Sequence, residues 1–229
     1  MGDLTNMGGM TSMVTTSFYP MLLGILVMSL LPIAVVSLTA FLKLSIVLML
    51  VRNALGTQSV PSNMIIYVLS LILTIYVSAP LVSEIYGRLM APDMTFKSAE
   101  GLQAVVSAVI DPLRASLERY APIDERRFLL AAARRVWPPD FNTGATTDDM
   151  LIVIPAYISA EITRGFQIGF LLYLPFIAVD LIVSNILMAM GMAMVSPMVI
   201  STPFKILLFI LVGGWTRLLH SLILSYAVH

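Results

Sequence analysis

Four charged residues in the second half of the chain stand almost alone among apolar ones, and they are the first candidates for chemistry. Glu161 and Arg164 are three residues apart, a spacing that places them on one helix face, where they can pair. Asp180 and Lys205 lie within or beside long apolar stretches, where an ionisable group is costly and usually faces protein or water. Such charges form a proton or ion relay in some membrane proteins and are neutralised between subunits in others. A relay needs several acidic or histidine groups in sequence, so we favour subunit packing.

Motifs for catalysis, cofactors or nucleic acid are missing from this sequence. It contains no cysteine and two histidines, and it has no HExxH, GxxxxGK[ST] or GxSxG pattern. The carboxylate pairs 124–125 and 148–149 have no histidine partners nearby, and the first pair suits the start of a helix. The net charge is zero, so no basic surface indicates nucleic acid. We therefore expect no enzyme, no metal, no cofactor and no nucleic-acid partner.

A methionine-rich run, MAMGMAMVSP at 188–197, is the remaining unusual feature. In an α-helix, positions two apart differ by about 200°, so methionines at every second position would not share a face. Gly191, Pro197 and the Ser-Thr-Pro run at 201–203 all disfavour a continuous helix. Irregular backbone at membrane depth must be buried in protein or line a cavity. The run could therefore close a pore with flexible side chains, or it could be ordinary apolar packing.

Long apolar segments on either side of one polar insert must position these residues. The chain is 59% hydrophobic and 11% charged, whereas soluble domains carry about 25% charged residues. Most of its 13 acidic and 13 basic residues fall between Glu84 and Asp149. We therefore predict an all-α chain with a hydrophobic helical pair at 1–83, a polar helical insert at 84–150, and a second hydrophobic pair at 151–229 that carries the methionine-rich run.

Four segments are apolar enough to cross a bilayer, which takes about 20 residues. They are Met21–Phe41 with a bend at Pro32, Met64–Val82, Gly165–Met194 and Ile206–Ala227. The insert contains two amphipathic patterns, at 98–120 with an interruption at Pro112 and at 121–136. Turn residues connect the first two spans.

The positions of the basic residues predict the orientation in the membrane. Lys43 and Arg52 fall in the predicted link between the first two spans, and Lys205 falls in the link between the last two. Short basic links stay in the cytoplasm, so we expect the insert and both termini on the periplasmic side. Gly165 and Gly169 form a small-xxx-small pattern that allows close helix packing. Six charges are candidates for subunit interfaces: Lys43, Arg52, Glu161, Arg164, Asp180 and Lys205.

Three segments resemble the type III secretion export-gate family, called SctR in injectisomes and FliP in flagella. They are FLKLSIVLMLVRNALGTQSVPSNM at 41–64, the long stretch at 155–209, and GGW at 213–215. The matched residues run in order across the chain, apart from the insert. The Arg-Asn-Ala-Leu-Gly run at 52–56 and the Ile-Ser-Thr-Pro run at 200–203 are more similar to the injectisome branch.

The resemblance implies an oligomer that conducts unfolded secreted proteins. In this family a pentamer of this subunit assembles with two other gate subunits, S- and T-type in injectisomes or Q- and R-type in flagella, into a helical, cone-shaped gate. The gate lies within the basal-body rings at the inner membrane, among further export-apparatus proteins and lipid. A methionine-rich loop forms its gasket, and by motif position this loop falls on Met192, Ala193 and Met194, with Met190 beside it.

Three positions depart from the family pattern. Ala193 replaces the usual central methionine of the gasket, Gly213 replaces an aspartate before Gly214-Trp215, and Ser159-Ala160 replaces an aliphatic-serine pair. The leading alternative function is a small-molecule or ion transporter, in which the broken helix and Asp180 form a midplane site. An intramembrane enzyme is a weaker alternative, because no nucleophile-base pair is present.

Overall fold

The computed structural model describes residues 25–26, 28–30, 32–57, 60–91, 99–142, 144–192 and 194–227. These residues form helices and turns without any β-strand, as the sequence predicted. The chain divides into two units, Met1–Ser37 and Leu38–His229. In the first unit, helix α1 covers Met28–Ser37, with residue 31 outside the description. Part of the first predicted span, Met21–Phe41, therefore lies outside the described residues.

The second unit is a succession of helices whose lengths differ widely. They are α2 (Phe41–Ala54), α3 (Asn63–Leu89), α4 (Ala99–Tyr120), α5 (Ile123–Val136), α6 (Pro139–Asn142), α7 (Met150–Ala189), α8 (Pro197–Leu211) and α9 (Gly214–Leu224). Helix α5 has acidic residues in its first turn and arginines in its last, which complements the helix dipole. Helix α3 begins after Ser62, whose side chain accepts a hydrogen bond from the Ile65 amide, the usual role of an N-cap serine.

Two predicted helix interruptions are wrong. Helix α4 continues through Pro112, and α8 continues through Pro203. A proline inside a helix removes one backbone hydrogen bond and costs about 3 kcal/mol. The remaining turns of these helices and their packing outweigh that cost. The last predicted span is instead divided at Gly213, which has a φ of 64°, a left-handed conformation that glycine adopts readily.

Helix α2 lies at the centre of the second unit, although the sequence analysis placed Lys43 and Arg52 in a link between spans. Its side chains at Leu44, Val47 and Leu48 have no exposed area. The helix packs against α3 and α7 and supplies much of the main hydrophobic core. A helix that is apolar on all sides is stable only when it is buried. The apolar character of Phe41–Ala54 thus outweighs its two cations, and that segment forms a core helix.

The described helices provide two to four candidate membrane spans. Helices α3 and α7 are each long and apolar enough to cross a bilayer, and α8 with α9 qualifies as a pair bent by 61°. A further bent pair runs over residues outside the description. Helix α7 has 40 residues and is therefore about 60 Å long, twice the thickness of the hydrocarbon core. Its first half packs against α4 and α5 of the polar insert, so a single helix joins the insert to the apolar part.

Helices α2 and α7 approach each other closely at two glycines. A Cβ atom added to Gly165 would lie 3.2 Å from Ile46, and one added to Gly169 would lie 2.3 Å from Leu50. Any side chain at Gly169 therefore requires Leu50 to move. The spacing of the two glycines provides a groove on α7 that receives α2.

We expect Gly169→Ala to lower the free energy of unfolding by about 1 kcal/mol, because overpacking of a tight contact costs about 1–3 kcal/mol and improved helix propensity returns part of it. Gly87 in α3 is the matched control, since nothing lies within 4 Å of a Cβ atom added there. Gly87→Ala should stabilise the protein slightly. Thermal unfolding in detergent, followed by circular dichroism, measures both variants. Equal melting temperatures for the two would contradict the tight α2–α7 contact.

Candidate functional site

A fully buried carboxylate, Glu161 of α7, is the centre of the first ion cluster. Arg164 Nη1 lies 2.8 Å from its Oε1 atom, and Lys43 Nζ lies 3.5 Å from its Oε2 atom. The Tyr226 hydroxyl donates a hydrogen bond to the same Oε2 atom. Lys43 Nζ also lies 3.5 Å from the centroid of the Tyr226 ring, a cation–π geometry. We call these four residues the Glu161 cluster.

Hydrogen bonds extend from the Glu161 cluster into the insert. Arg164 donates to the Tyr120 carbonyl at 2.8 Å, and the Tyr120 hydroxyl donates to the Tyr226 carbonyl at 3.2 Å. On α7, about one turn before Arg164, the Ser159 hydroxyl donates to the Glu125 carboxylate at 2.9 Å. The cluster therefore connects α2, α4, α7 and the segment that follows α9. Each of these elements contributes a charge or a hydrogen bond to the same buried position.

A second ion cluster lies farther along α7 around Asp180. Lys205 Nζ of α8 lies 2.5 Å from Asp180 Oδ2, and the Ser201 hydroxyl donates to Asp180 Oδ1 at 2.5 Å. Lys205 also donates to the carbonyl of Ala54 at 3.2 Å. Ala54 ends α2, and the last carbonyls of a helix need external donors. We call Asp180, Ser201, Lys205 and the Ala54 carbonyl the Asp180 cluster; it holds the C-terminus of α2 against α7 and α8.

The structure brings the predicted interface charges into two groups within one chain. Asp180 follows Glu161 by nineteen positions on α7, which is about 28 Å along the helix. Arg52 belongs to neither group; it donates to the carbonyl of Pro61 at 3.3 Å and to the side chain of Asn63. Glu161 and Asp180 are thus neutralised without a neighbouring chain. A role for these charges between subunits stays a prediction.

These clusters are suited to holding helices together and not to moving ions. Asp180 is occupied by an ammonium and a hydroxyl, and Glu161 by two cations and a phenol. Across the described part of the chain, no group of three His, Cys, Asp or Glu residues could hold a metal ion. Sequence reasoning did not find the roles of Tyr226 and Ser201, because neither residue stands out by type or spacing.

The methionine-rich run forms the turn between α7 and α8, where the sequence predicted a break. We call residues 190–192 and 194–196 the methionine turn. Gly191 has a φ of 72°, and the Met192 amide donates to the Leu187 carbonyl at 2.9 Å. This is the glycine-centred ending common to helices. Pro197 then begins α8, where its missing N–H costs nothing.

The methionines of this turn project away from their own chain. Met190 is 66% exposed, Met192 is 42% exposed, and Met194 is fully exposed. Ala193, the predicted central gasket residue, lies outside the described residues. Backbone stop signals on both sides and apolar, flexible side chains between them make this turn an exposed apolar surface.

Removal of the Glu161 carboxylate should destabilise the fold strongly. We expect Glu161→Ala to lower the free energy of unfolding by about 3–5 kcal/mol, because Lys43 loses its buried partner. Glu84→Ala is the matched control, since Glu84 forms an exposed pair with Arg88 at 2.8 Å, and such pairs contribute about 0–1 kcal/mol. Size-exclusion chromatography after a temperature series reports the folded fraction. Equal losses for both variants would contradict the central position of Glu161.

Comparison with known proteins assigns the chain to a family. It matches the FliP family over residues 24–222. It is 46% identical to the Probable translocation protein y4yL of Sinorhizobium fredii, with 93% of this chain and 98% of that protein covered. It is 45% identical to the Harpin secretion protein HrpW of Pseudomonas syringae, with 87% and 96% covered. It is 43% identical to the Yop proteins translocation protein R of Yersinia pestis, with 87% and 92% covered. These matches confirm the resemblance drawn from the motifs, and the chain belongs to the FliP family.

Proposed function

We propose that this chain is a subunit of the export gate of a type III secretion system, of the injectisome branch, in the bacterial inner membrane. Two lines of support converge on this function. The names of its relatives refer to translocation or secretion, and its helices α3 and α7 are long and apolar enough to span a membrane. The gate binds secreted proteins as cargo and catalyses no reaction.

The single observation that carries the proposed mechanism is the exposure of the methionine turn. The peptide groups of a turn lack the hydrogen bonds of a helix, and unpaired peptide groups are costly in lipid. The methionine turn therefore faces other protein chains, and we place it at the channel axis. In a pentamer, Met192 and Met194 of every copy meet at one constriction, with Met190 beside them. Thioether side chains change shape easily and make no strong polar contacts, so they seal the channel and yield to a passing chain.

The ion clusters supply the rigid base for this seal. The Asp180 cluster joins α7 and α8, the two helices that the methionine turn connects. Its hydrogen bonds and ion pair resist separation of these helices when cargo presses on the turn. The pairing within the Asp180 cluster also argues against the alternative transporter function. A midplane site needs an acidic group that is free to bind substrate, and Asp180 is already paired with Lys205 at 2.5 Å.

The partners follow from the same proposal. The pentamer assembles with the S- and T-type gate subunits, lies within the basal-body rings and contacts lipid. The polar insert, which contains α4 and α5, lies in the periplasm. Arg52 still supports this orientation, because it lies in the last turn of α2 on the predicted cytoplasmic side. Lys205 does not, since it lies inside α8, not in a link between spans, and is buried beside Asp180. Lys43 no longer counts, since it is buried beside Glu161.

Cysteine labelling tests the orientation in a chain that has no natural cysteine. Thr146 in the insert and Asn53 at the end of α2 are both exposed. We expect Thr146→Cys to react with a membrane-impermeant thiol reagent from the periplasm. Asn53→Cys, the matched control, should react only after the inner membrane is opened. The opposite pattern would reverse the proposed topology.

Replacement of the seal tests the mechanism. We expect the double variant Met192→Ala, Met194→Ala to assemble normally and to increase small-ion leakage across the inner membrane severalfold, because the truncated side chains leave a gap. Met64 and Met90 are also highly exposed but lie at the two ends of α3, so their double alanine variant is the matched control. Leakage is measured by the decay of membrane potential. An assembled double variant at 192 and 194 that leaks no more than the control would rule out the seal.

A further inference from the structure

An apolar cleft lies among α2, α7, α8 and α9 of the second unit. Its volume is about 380 Å³, within the range of about 300–1,000 Å³ that is typical of ligand sites. None of its lining residues belongs to an ion cluster or to the methionine turn. Most of the wall is aliphatic or aromatic: Val51, Ile168, Leu172, Phe176, Phe209 and Leu218.

Aromatic packing makes one wall of this cleft rigid. Phe209 packs edge-on against Trp215, with ring centroids 5.3 Å apart, and its ring lies 6.1 Å from that of Phe176. A Cβ atom on Gly214 would lie 2.3 Å from the Phe209 ring, so the glycine lets the ring fill this position. The cleft is therefore preformed by packing. A side chain could close it only if the rings of Phe176, Phe209 and Trp215 moved.

Two polar side chains lie along the edge of the cleft. Arg217 and Ser221 both line it, and they are four residues apart on α9, so they share one helix face. Neither side chain has a hydrogen bond or an ion pair with the described part of the chain. A guanidinium and a hydroxyl, both free to donate, are thus adjacent at the edge of an apolar space.

The charges elsewhere in the apolar helices leave Arg217 without an anion. Glu161 and Asp180 are the acidic residues of α7, and both are already paired with cations. A cation among apolar helices needs a counter-ion or water. The anion that a membrane supplies is lipid phosphate, which basic pockets between helices bind. A guanidinium binds phosphate oxygens through two parallel hydrogen bonds.

We propose that this cleft binds one anionic phospholipid. One of its two acyl chains occupies the space among Leu172, Phe176 and Leu218, and its phosphate accepts hydrogen bonds from Arg217 and Ser221. The lipid lies beside the 61° bend between α8 and α9. It fills the space that the bend leaves open and fixes the position of α9 against α7. This site does not depend on the function proposed for the methionine turn.

Native mass spectrometry of the full chain tests the site. The protein is reconstituted in nanodiscs of equal phosphatidylglycerol and phosphatidylethanolamine, transferred to detergent and weighed with the lipids that remain bound. We expect retained phosphatidylglycerol in preference to phosphatidylethanolamine. Arg217→Gln should lower its retention roughly tenfold, the effect of losing one charged hydrogen-bond donor. Arg217→Lys, which keeps the charge but not the two parallel hydrogen bonds, should restore only part of it. Arg88→Gln in α3 is the control and should retain lipid like the parent.

A variant that fills the cleft provides a second test, independent of charge. Leu172→Trp should displace the lipid while helicity, followed by circular dichroism, stays unchanged. Equal retention by Arg217→Gln and the parent would overturn the proposal, as would equal retention of both lipids. Absence of bound lipid from the parent, both alone and in the assembled gate, would assign the cleft to a neighbouring protein chain and equally overturn it.

Discussion

The burial of one carboxylate, Glu161, is the constraint on which the rest of the structure depends. An ionised group without exposed area needs compensation from charges and hydrogen-bond donors. Lys43 and Arg164 supply the charges, and Tyr226 supplies the hydroxyl. These partners come from separate segments, so α2, α7 and the end of the chain must meet at one position. The glycine groove on α7 permits the close approach that this meeting requires. Packing and electrostatics thus select the same arrangement.

The ion clusters and the methionine turn form a rigid part and an adaptable part of the molecule. Both ion clusters are closed within one chain and join α7 to its neighbours. The methionine turn, at the far end of α7, makes few contacts with its own chain and offers apolar side chains of adaptable shape. In the proposed gate, a rigid base presents this turn in a fixed position, and its flexible side chains accommodate cargo of varied sequence. A polar turn would form directional contacts and would hold the cargo.

Local signals in the sequence predicted much of this structure. Helix α5 begins with acidic residues and ends with arginines, and it lies within the predicted segment 121–136. The turn after α7 lies where Gly191 and Pro197 predicted a break, because both residues act through local backbone geometry. The pairing of Glu161 with Arg164 followed from helical spacing alone. Local signals could not predict contacts between residues that are remote in sequence. Lys43 was assigned to a link, because its partners Glu161 and Tyr226 are remote in sequence. The predicted helix interruptions at Pro112 and Pro203 did not occur, because tertiary packing compensates for a lost hydrogen bond.

The central claim is that the methionine turn lines the path of the cargo. The most direct test introduces a photo-crosslinking amino acid at Met194 and stalls a secreted protein, fused to a domain that cannot unfold, within the assembled gate. The account predicts a crosslink between position 194 and the cargo, and none from the same probe at Met64, a methionine at the start of α3 that is 75% exposed. Crosslinks from position 194 to lipid alone, or cargo adducts of equal yield at both positions, would contradict it.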